Sequence, residues 1–382
     1  MDLQLTHQHE ADRAEFRDFV DREIVPHADR FDLEERIPRD TIDHVAARGY
    51  FGVSIPREYG GRGSDMITYG LLHEEIGRGC SSLRSIITVQ GMVAHAIGRW
   101  GVPAQHDAWL PPMAAGRRLV AFALSEPEAG SDPQAIACAA TRRRGEYVLN
   151  GRKKWITGGQ IADAFLVIAR AEGKPGAWLV DRDAPGLTIS PIRGLLGVRA
   201  SMLSELTFSD CRVPGERLVG RLGFGLSHVA FSSLDHGRYC VAWGAVGIGQ
   251  AALRASLDYA GTRRQHGVYL KDHQLIRRML SDGLTNLAAA RLLCYQAACR
   301  RDAGDPRAVI DTFMAKYFAS TMARRAADDC VQIHGASGCS GDYPAQRYLR
   351  DAKIMEIIEG TTQLQQLTIA QGPYEDVYEK VH

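Results

Sequence analysis

The chain has 382 residues, 45% of them hydrophobic and 24% charged, with a formal net charge of +1. That length can bury more than one core, and the composition is that of an ordinary folded protein, not a disordered or fibrous one. Near-neutral charge supplies no global attraction to nucleic acid or to an anionic membrane, so neither is expected as a partner. The eight cysteines are scattered, without a Cys-x-x-Cys pair or a zinc-like Cys/His spacing. Neither a disulfide framework nor a metal site is expected. The opening MDLQLTHQHEADRAEF is polar and acidic, and no apolar run reaches membrane-spanning length. The expectation is a cytoplasmic protein.

In chain order, residues 1–119 read as helical. Phe16, Phe19, Val20 and Ile24 recur at spacings of three and four on a charged background. A glycine-rich break, Val53–Gly63, is followed by helical periodicity through Tyr69–Ile76 and Met92–Trp100. Residues 120–229 change texture. Short runs (Leu119–Leu124, Glu146–Leu149, Phe165–Ala169, Ala177–Val180, Glu205–Phe208) are separated by Gly, Pro, Asp and Asn, as in a compact β-domain. Asn150-Gly151 and Asp183-Ala-Pro-Gly186 read as turns. Residues 230–382 return to long alanine- and leucine-rich helices, Ala242–Tyr259, His273–Ala303 and Ala308–His334, with a break at Gly304-Asp-Pro306. The tail, Gly372–His382, is expected to be peripheral. The fold class is therefore a multi-domain α+β protein: an N-terminal helical domain, a middle β-domain of barrel or sandwich type, and a C-terminal four-helix bundle.

Three segments carry candidate chemistry. Phe122–Asp132 runs from a strand into a turn holding Ser125, Gly130, Ser131 and Asp132, whose N–H and hydroxyl groups can grip a cofactor's oxygens. The same residues also make a Pro/Gly turn that satisfies its own backbone. In Asn150–Gly159, Trp155 and Thr157 lie two apart in a short strand and share a face. There an aromatic ring can cover a planar ring system while the hydroxyl hydrogen-bonds to it. An edge strand with a structural tryptophan is the other reading. In Arg350–Gln363, an apolar helix face of Ile354, Ile357 and Ile358 ends in Glu359 and then Gly360. A carboxylate at the edge of an apolar wall is a candidate general base with a raised pKa. A solvated helix-end glutamate is the commoner alternative.

Together the segments resemble the acyl-CoA dehydrogenase superfamily along nearly the whole chain. The matching stretches are Ser125–Asp132, Trp155-Ile-Thr157, Thr262–Gly267, Val331–Gly335, and Arg350–Lys353 with Ile358–Thr361. The resemblance implies FAD between the β-domain and the C-terminal helices, with a neighbouring subunit of a homo-oligomer, dimer or tetramer, completing the site. Carried over, Phe122, Leu124 and Ser125 line the flavin, and Trp155 and Thr157 cover it. Arg263 and Gln274 match pyrophosphate and adenine-side contacts, Gln332 and Gly335 match contacts from the partner subunit, and Thr361 and Gln363 match positions near the adenosine half. Ser131 and Arg238 match substrate-side positions, and Glu359 the catalytic base. Some branches place that carboxylate on the helix beside Arg238, where this chain has Gly237.

Further stretches, Cys80–Ser85 with Gln90-Gly-Met92, Val241–Gly244 and Lys353–Glu359, are similar to dehydrogenases that make hydroxymalonyl- and methoxymalonyl-type extender units for polyketide synthases. That branch implies an oxygenated acyl group on an acyl carrier protein and a cation in the pocket, for which Arg84 joins Arg238. The alternative is a short-chain acyl-CoA dehydrogenase acting on an acyl-CoA. The electron acceptor is left open between an electron-transfer flavoprotein as partner and oxygen. His266 and His334 stand where many relatives have phenylalanine.

Overall fold

Thr6 starts the first helix with a reciprocal cap: its hydroxyl accepts the His9 N–H at 3.2 Å while the His9 ring accepts the Thr6 N–H at 3.3 Å. In the computed structural model, which describes residues 5–374, the tail from residue 375 lies outside the described residues. Helix α1 (His7–Phe19) and the widened turn after it bury Phe16, Phe19, Val20 and Ile24, the stripe the spacing predicts. Helices α2 (Ala28–Glu34) and α3 (Arg39–Ala47) follow, then the glycine-rich loop, α4 (Met66–Gly79), α5 (Ser81–Trp100) and α6 (Pro103–Ala114). Helices α4 and α5 are buried on almost every face, so they form the interior of the molecule.

The middle region is one curled seven-stranded sheet: β1 (Val120–Ala123), β2 (Ala139–Arg143), β3 (Glu146–Ile156), β4 (Ala164–Ala171), β5 (Lys174–Asp181), β6 (Leu187–Pro191) and β7 (Ser204–Pro214). The order is β1-β4-β2-β3-β7-β6, with β5 on β4. Along β4, Leu166 and Ile168 pack toward Trp109 and Met113 of α6, while Phe165 and Val167 pack with Trp178, Leu206 and Phe208. Period-two alternation thus feeds two cores, and the strand reads as continuously apolar. The expected turn at Asp183–Gly186 joins β5 to β6. The one at Asn150-Gly151 is not a turn: it lies inside β3 opposite a bulge in β7, where Ser209 and Asp210 face Asn150 alone between the Leu149–Cys211 and Gly151–Phe208 pairs. The Asn150 amide exchanges two hydrogen bonds with Asp210 across it, at 3.1 and 2.8 Å. Gly151 is required there, because a Cβ would sit 2.8 Å from the Cys138 backbone.

The chain then returns to helices: α7 (Phe231–Thr262), a short hairpin β8 (Arg264–Gln265) and β9 (Val268–Tyr269), α8 (Gln274–Asp302), α9 (Ala308–His334), α10 (Ala345–Met355) and α11 (Thr362–Gln371). Helix α10 joins three parts of the molecule. Arg347 and Arg350 pair with Asp29 and Asp32 of α2, both at 2.6 Å, and the Asp351 carboxylate accepts the Val198 N–H at 2.6 Å. Among the described residues no helix is long and apolar enough to cross a membrane, and no His/Cys/Asp/Glu group could hold a metal ion.

Candidate active site

Helix α10 stops at Met355, four residues before Glu359. The apolar wall expected from Ile354, Ile357 and Ile358 is therefore not a helix face, and Ile357 is 50% exposed. Met355, fully buried, does that packing. Glu359 stands instead on a two-residue left-handed turn, with φ of 55° followed by 92° at Gly360. A non-glycine residue there is strained and needs support from its surroundings. The support is a ring of donors on the turn's two carbonyls. The Glu359 carbonyl accepts from Arg238 Nε at 3.0 Å and Gln365 Nε2 at 3.1 Å. The Gly360 carbonyl accepts from Lys316 Nζ at 2.7 Å and Gln365 Nε2 at 2.9 Å.

The Glu359 side chain turns inward. Its Oε2 is buried and has no hydrogen-bond partner among the described residues. It lies over α7, where a Cβ on Gly237 would come within 2.8 Å of the carboxyl carbon, Oε2 and the Met92 sulfur. Burial pushes the carboxyl up to about 7, with Arg238, Lys316 and Arg84 pulling the other way. An orphaned carboxylate with proton affinity near neutrality is a general base in waiting.

Arg238 lies in the wall of a cavity of about 1210 Å³ between α5, α7 and α9. Its Nε is committed to the Glu359 carbonyl and its guanidinium lies 4.5 Å from the Phe313 ring centroid. Arg84 is not a surface residue: it is fully buried. Its bonds go to the Thr88 and Ser85 hydroxyls at 3.1 and 2.9 Å and to the Met355 sulfur at 3.3 Å, with Nε unpartnered. Burial lowers its pKa to about 10. The nearby serines do not cap α5, since no side chain caps that helix; Ser82 instead accepts the Ala200 N–H at 3.2 Å. Trp243 is fully buried packing, laid against the Gly70 backbone.

In the sheet, Phe122 and Leu124 pack into the core shared with α5 and α6, and Ser125 is tied to the strand that carries Trp155. The Ser125 carbonyl accepts the Lys154 N–H at 2.9 Å. Beneath them the Lys153 ammonium, fully buried, binds the Leu124 carbonyl at 2.9 Å and the Glu126 carboxylate at 2.7 Å. Trp155 and Thr157 are not on one face of a regular strand. The ladder breaks between Lys153 and Ile156, Trp155 adopts a left-handed φ of 65°, and Thr157 falls in the turn after β3. The result is an indole 51% exposed at the end of β3, while Phe122 of β1 and Leu124 just after it are buried, at 9% and 7% exposure. Such an uncovered aromatic shelf fits a flat tricyclic ring. The Thr157 turn leans on α5, and Ala200 of the next loop is tied to Ser82, so this end of the sheet is held against α5.

The remaining residues fall elsewhere. Ser131 is exposed on its loop, and Asp132 caps its own backbone by accepting the Gln134 N–H at 2.9 Å. Thr361 spends its hydroxyl as the cap of α11, accepting the Leu364 N–H at 3.3 Å, and Gln363 is exposed. Arg263, Gln274, Gln332 and Gly335 are exposed at the end of the bundle where α7 and α9 finish and α8 begins. Twenty-five residues of helix separate Arg263 from Arg238, ~37 Å at the helical rise. His334 is a packing replacement, stacked 4.3 Å from the Tyr259 ring; His266 is exposed. Sequence reasoning missed Lys316, Gln365 and the Lys153–Glu126 pair. The signal for Lys316 was a lone lysine in the i, i+4 series Thr312, Lys316, Ser320 on the alanine-rich face of α9.

Three family models match consecutive stretches: the acyl-CoA dehydrogenase N-terminal domain at residues 6–117, the middle domain at 121–211 and the C-terminal domain at 225–373. A probable acyl-CoA dehydrogenase of Bacillus subtilis, YngJ, is 39% identical over 97% of this chain and 99% of its own. The solved butyryl-CoA dehydrogenase of Megasphaera elsdenii superposes with a TM-score of 0.95 at 33% identity, covering 98% of this chain and 100% of that one. FkbI, described as serving the biosynthesis of a methoxymalonyl extender unit, superposes with a TM-score of 0.87 at 31% identity, covering 95% and 99%. The chain belongs to the acyl-CoA dehydrogenase family and is an FAD-dependent oxidoreductase.

Proposed function

We propose that the protein dehydrogenates a short acyl-CoA thioester, with Glu359 removing the proton beside the thioester carbonyl. The observation that carries this reading is the buried, unpartnered Glu359 oxygen above Gly237. Its lone pairs are uncommitted, and its proton affinity near 7 matches a base that works at neutral pH. The carbonyls of the turn are bound by Arg238, Gln365 and Lys316, while the Glu359 N–H makes no backbone hydrogen bond among the described residues. That N–H is free to stabilise charge developing on the thioester oxygen. The shelf of Phe122, Leu124, Ser125, Trp155 and Thr157 orients the flavin ring. Bound FAD supplies the acceptor for the hydride that leaves the neighbouring carbon. Arg263, Gln274, Gln332 and Gly335, remote from Glu359 on their own chain, serve the adenosine half across a subunit interface.

The similarity to butyryl-CoA dehydrogenase supports a short acyl-CoA. A second reading rests on Arg84: a fully buried guanidinium with no carboxylate partner among the described residues calls for an anionic or oxygenated acyl group. The likeness to FkbI favours a carrier protein as its bearer. Anaerobic flavin bleaching with butyryl-CoA, with carboxylated and hydroxylated acyl-CoAs, and with the same groups on an acyl carrier protein separates the two. Bleaching by butyryl-CoA that Glu359→Gln abolishes supports the first reading. Bleaching confined to carrier-bound oxygenated groups, lost in Arg84→Met, replaces it with the second.

A further inference from the structure

Lys316 belongs to neither the shelf nor the cavity wall, and it is fully buried in α9. An ammonium in that setting is costly, and its one hydrogen bond is to the Gly360 carbonyl at 2.7 Å. It forms no ion pair within 4 Å among the described residues. A leucine or methionine would pack the alanine-rich α9 face at no such cost, so the charge calls for a use. The Gly360 carbonyl is half of the left-handed turn that presents Glu359, and that carboxylate acts on Lys316 more strongly than Glu356 does.

We infer that Lys316 is a positioning residue for the base: it pins the Gly360 carbonyl so that Glu359 keeps its inward backbone conformation, and its charge favours the ionised carboxylate. This inference rests on the assignment of Glu359 as the base. The groups facing the turn are Arg84 from α5, Arg238 from α7 and Lys316 from α9; Glu356, which precedes the turn, is paired with Lys353 at 2.8 Å, and Asp235 beside Arg238 is paired with Arg301 at 2.7 Å. Arg238 holds the Glu359 carbonyl and Arg84 is committed to hydroxyls, so Lys316 alone grips the second carbonyl with a formal charge. Burial brings Lys316 down to about 7, with Glu359 opposing that shift, so the two groups titrate in the same range and each favours the charged form of the other.

The test is single-turnover flavin reduction by butyryl-CoA as a function of pH in wild type, Lys316→Met, Lys316→Arg and Glu359→Gln holoenzymes. In Lys316→Met the loss of a positive charge disfavours the ionised base, so the acid limb moves to higher pH by about one unit. The limiting rate falls about tenfold or more, with FAD content and butyryl-CoA affinity near wild type. Lys316→Arg, which keeps the charge, returns the acid limb to its wild-type position. An unmoved acid limb in Lys316→Met overturns the inference even if the rate falls, because a merely structural lysine changes amplitude and not titration. If Lys316→Met does not fold, Lys316→Gln decides, since it keeps a donor for the Gly360 carbonyl and removes the charge: an acid limb moved to higher pH supports the role, and an unmoved limb overturns it. Wild-type activity in Glu359→Gln removes the base itself, an outcome distinct from either.

Discussion

Two residues that share an uncommon backbone conformation face opposite environments. Glu359 and Trp155 both have left-handed φ values, 55° and 65°. Around Glu359 the strain is held by side chains from α7, α9 and α11 that bind the turn's carbonyls, and one carboxyl oxygen, Oε2, is buried. Around Trp155 it is held by a break in the sheet ladder over a buried Lys153–Glu126 pair, and the ring is left half open. One device aims the proposed base inward, and the other lays a ring along the surface proposed for the cofactor. The backbone trick is shared; the direction of burial decides which chemistry it serves.

Breaking the first device should leave the second intact. Glu359→Gln is expected to lower turnover about a thousandfold or more while the protein stays yellow. Loss of FAD along with activity would show that the two regions are one structural unit. Breaking the second device should do the converse. Lys153→Met leaves the buried Glu126 carboxylate without its cation, and about 3–5 kcal/mol of stability should go with it, read as a fall in the urea midpoint together with FAD release.

A finer probe is Gly237→Ala. Its Cβ lands 2.8 Å from the Glu359 carboxyl carbon, an overpacking of about 1–3 kcal/mol that should lower kcat about ten- to a hundredfold with FAD binding unchanged. The smallest effect is one of pH. Burial raises Glu359 from 4.5 to about 7, so the unfolded chain releases this proton first and the wild type loses stability as pH rises through that window. Glu359→Gln lacks this loss. Its stability relative to wild type should grow between pH 5 and pH 8 by on the order of 1 kcal/mol or more, measured by urea unfolding. A constant difference across that range would mean that the carboxyl titrates normally.

The helix–sheet–helix order was legible because each region keeps a single periodicity: the Phe16–Ile24 stripe, the alternation along β4, and the long alanine-rich runs of α7 to α9. Local turn chemistry was less legible. Asn150-Gly151 has the letters of a turn, yet the pairing of Asn150 with Asp210, sixty residues on, keeps it in the strand opposite a bulge in β7. The same limit hid the clamp on Glu359, since Arg238, Lys316 and Gln365 converge from three helices. Arg84 enters the sequence reading only as a cation implied by resemblance, and its full burial shows only in the packed structure. What sequence reports well is the face an element hides; what it reports poorly is which distant donor meets which carbonyl.

The volume between Gly237, Met92 and Glu359 has room for one carboxylate. An acid introduced on α7 meets the resident carboxyl, and deleting the proposed base first leaves none. Transfer of the catalytic role from turn to helix is therefore epistatic, each single replacement being worse than both together. Any lineage or laboratory that moves the acid must cross that valley or change both positions in one step.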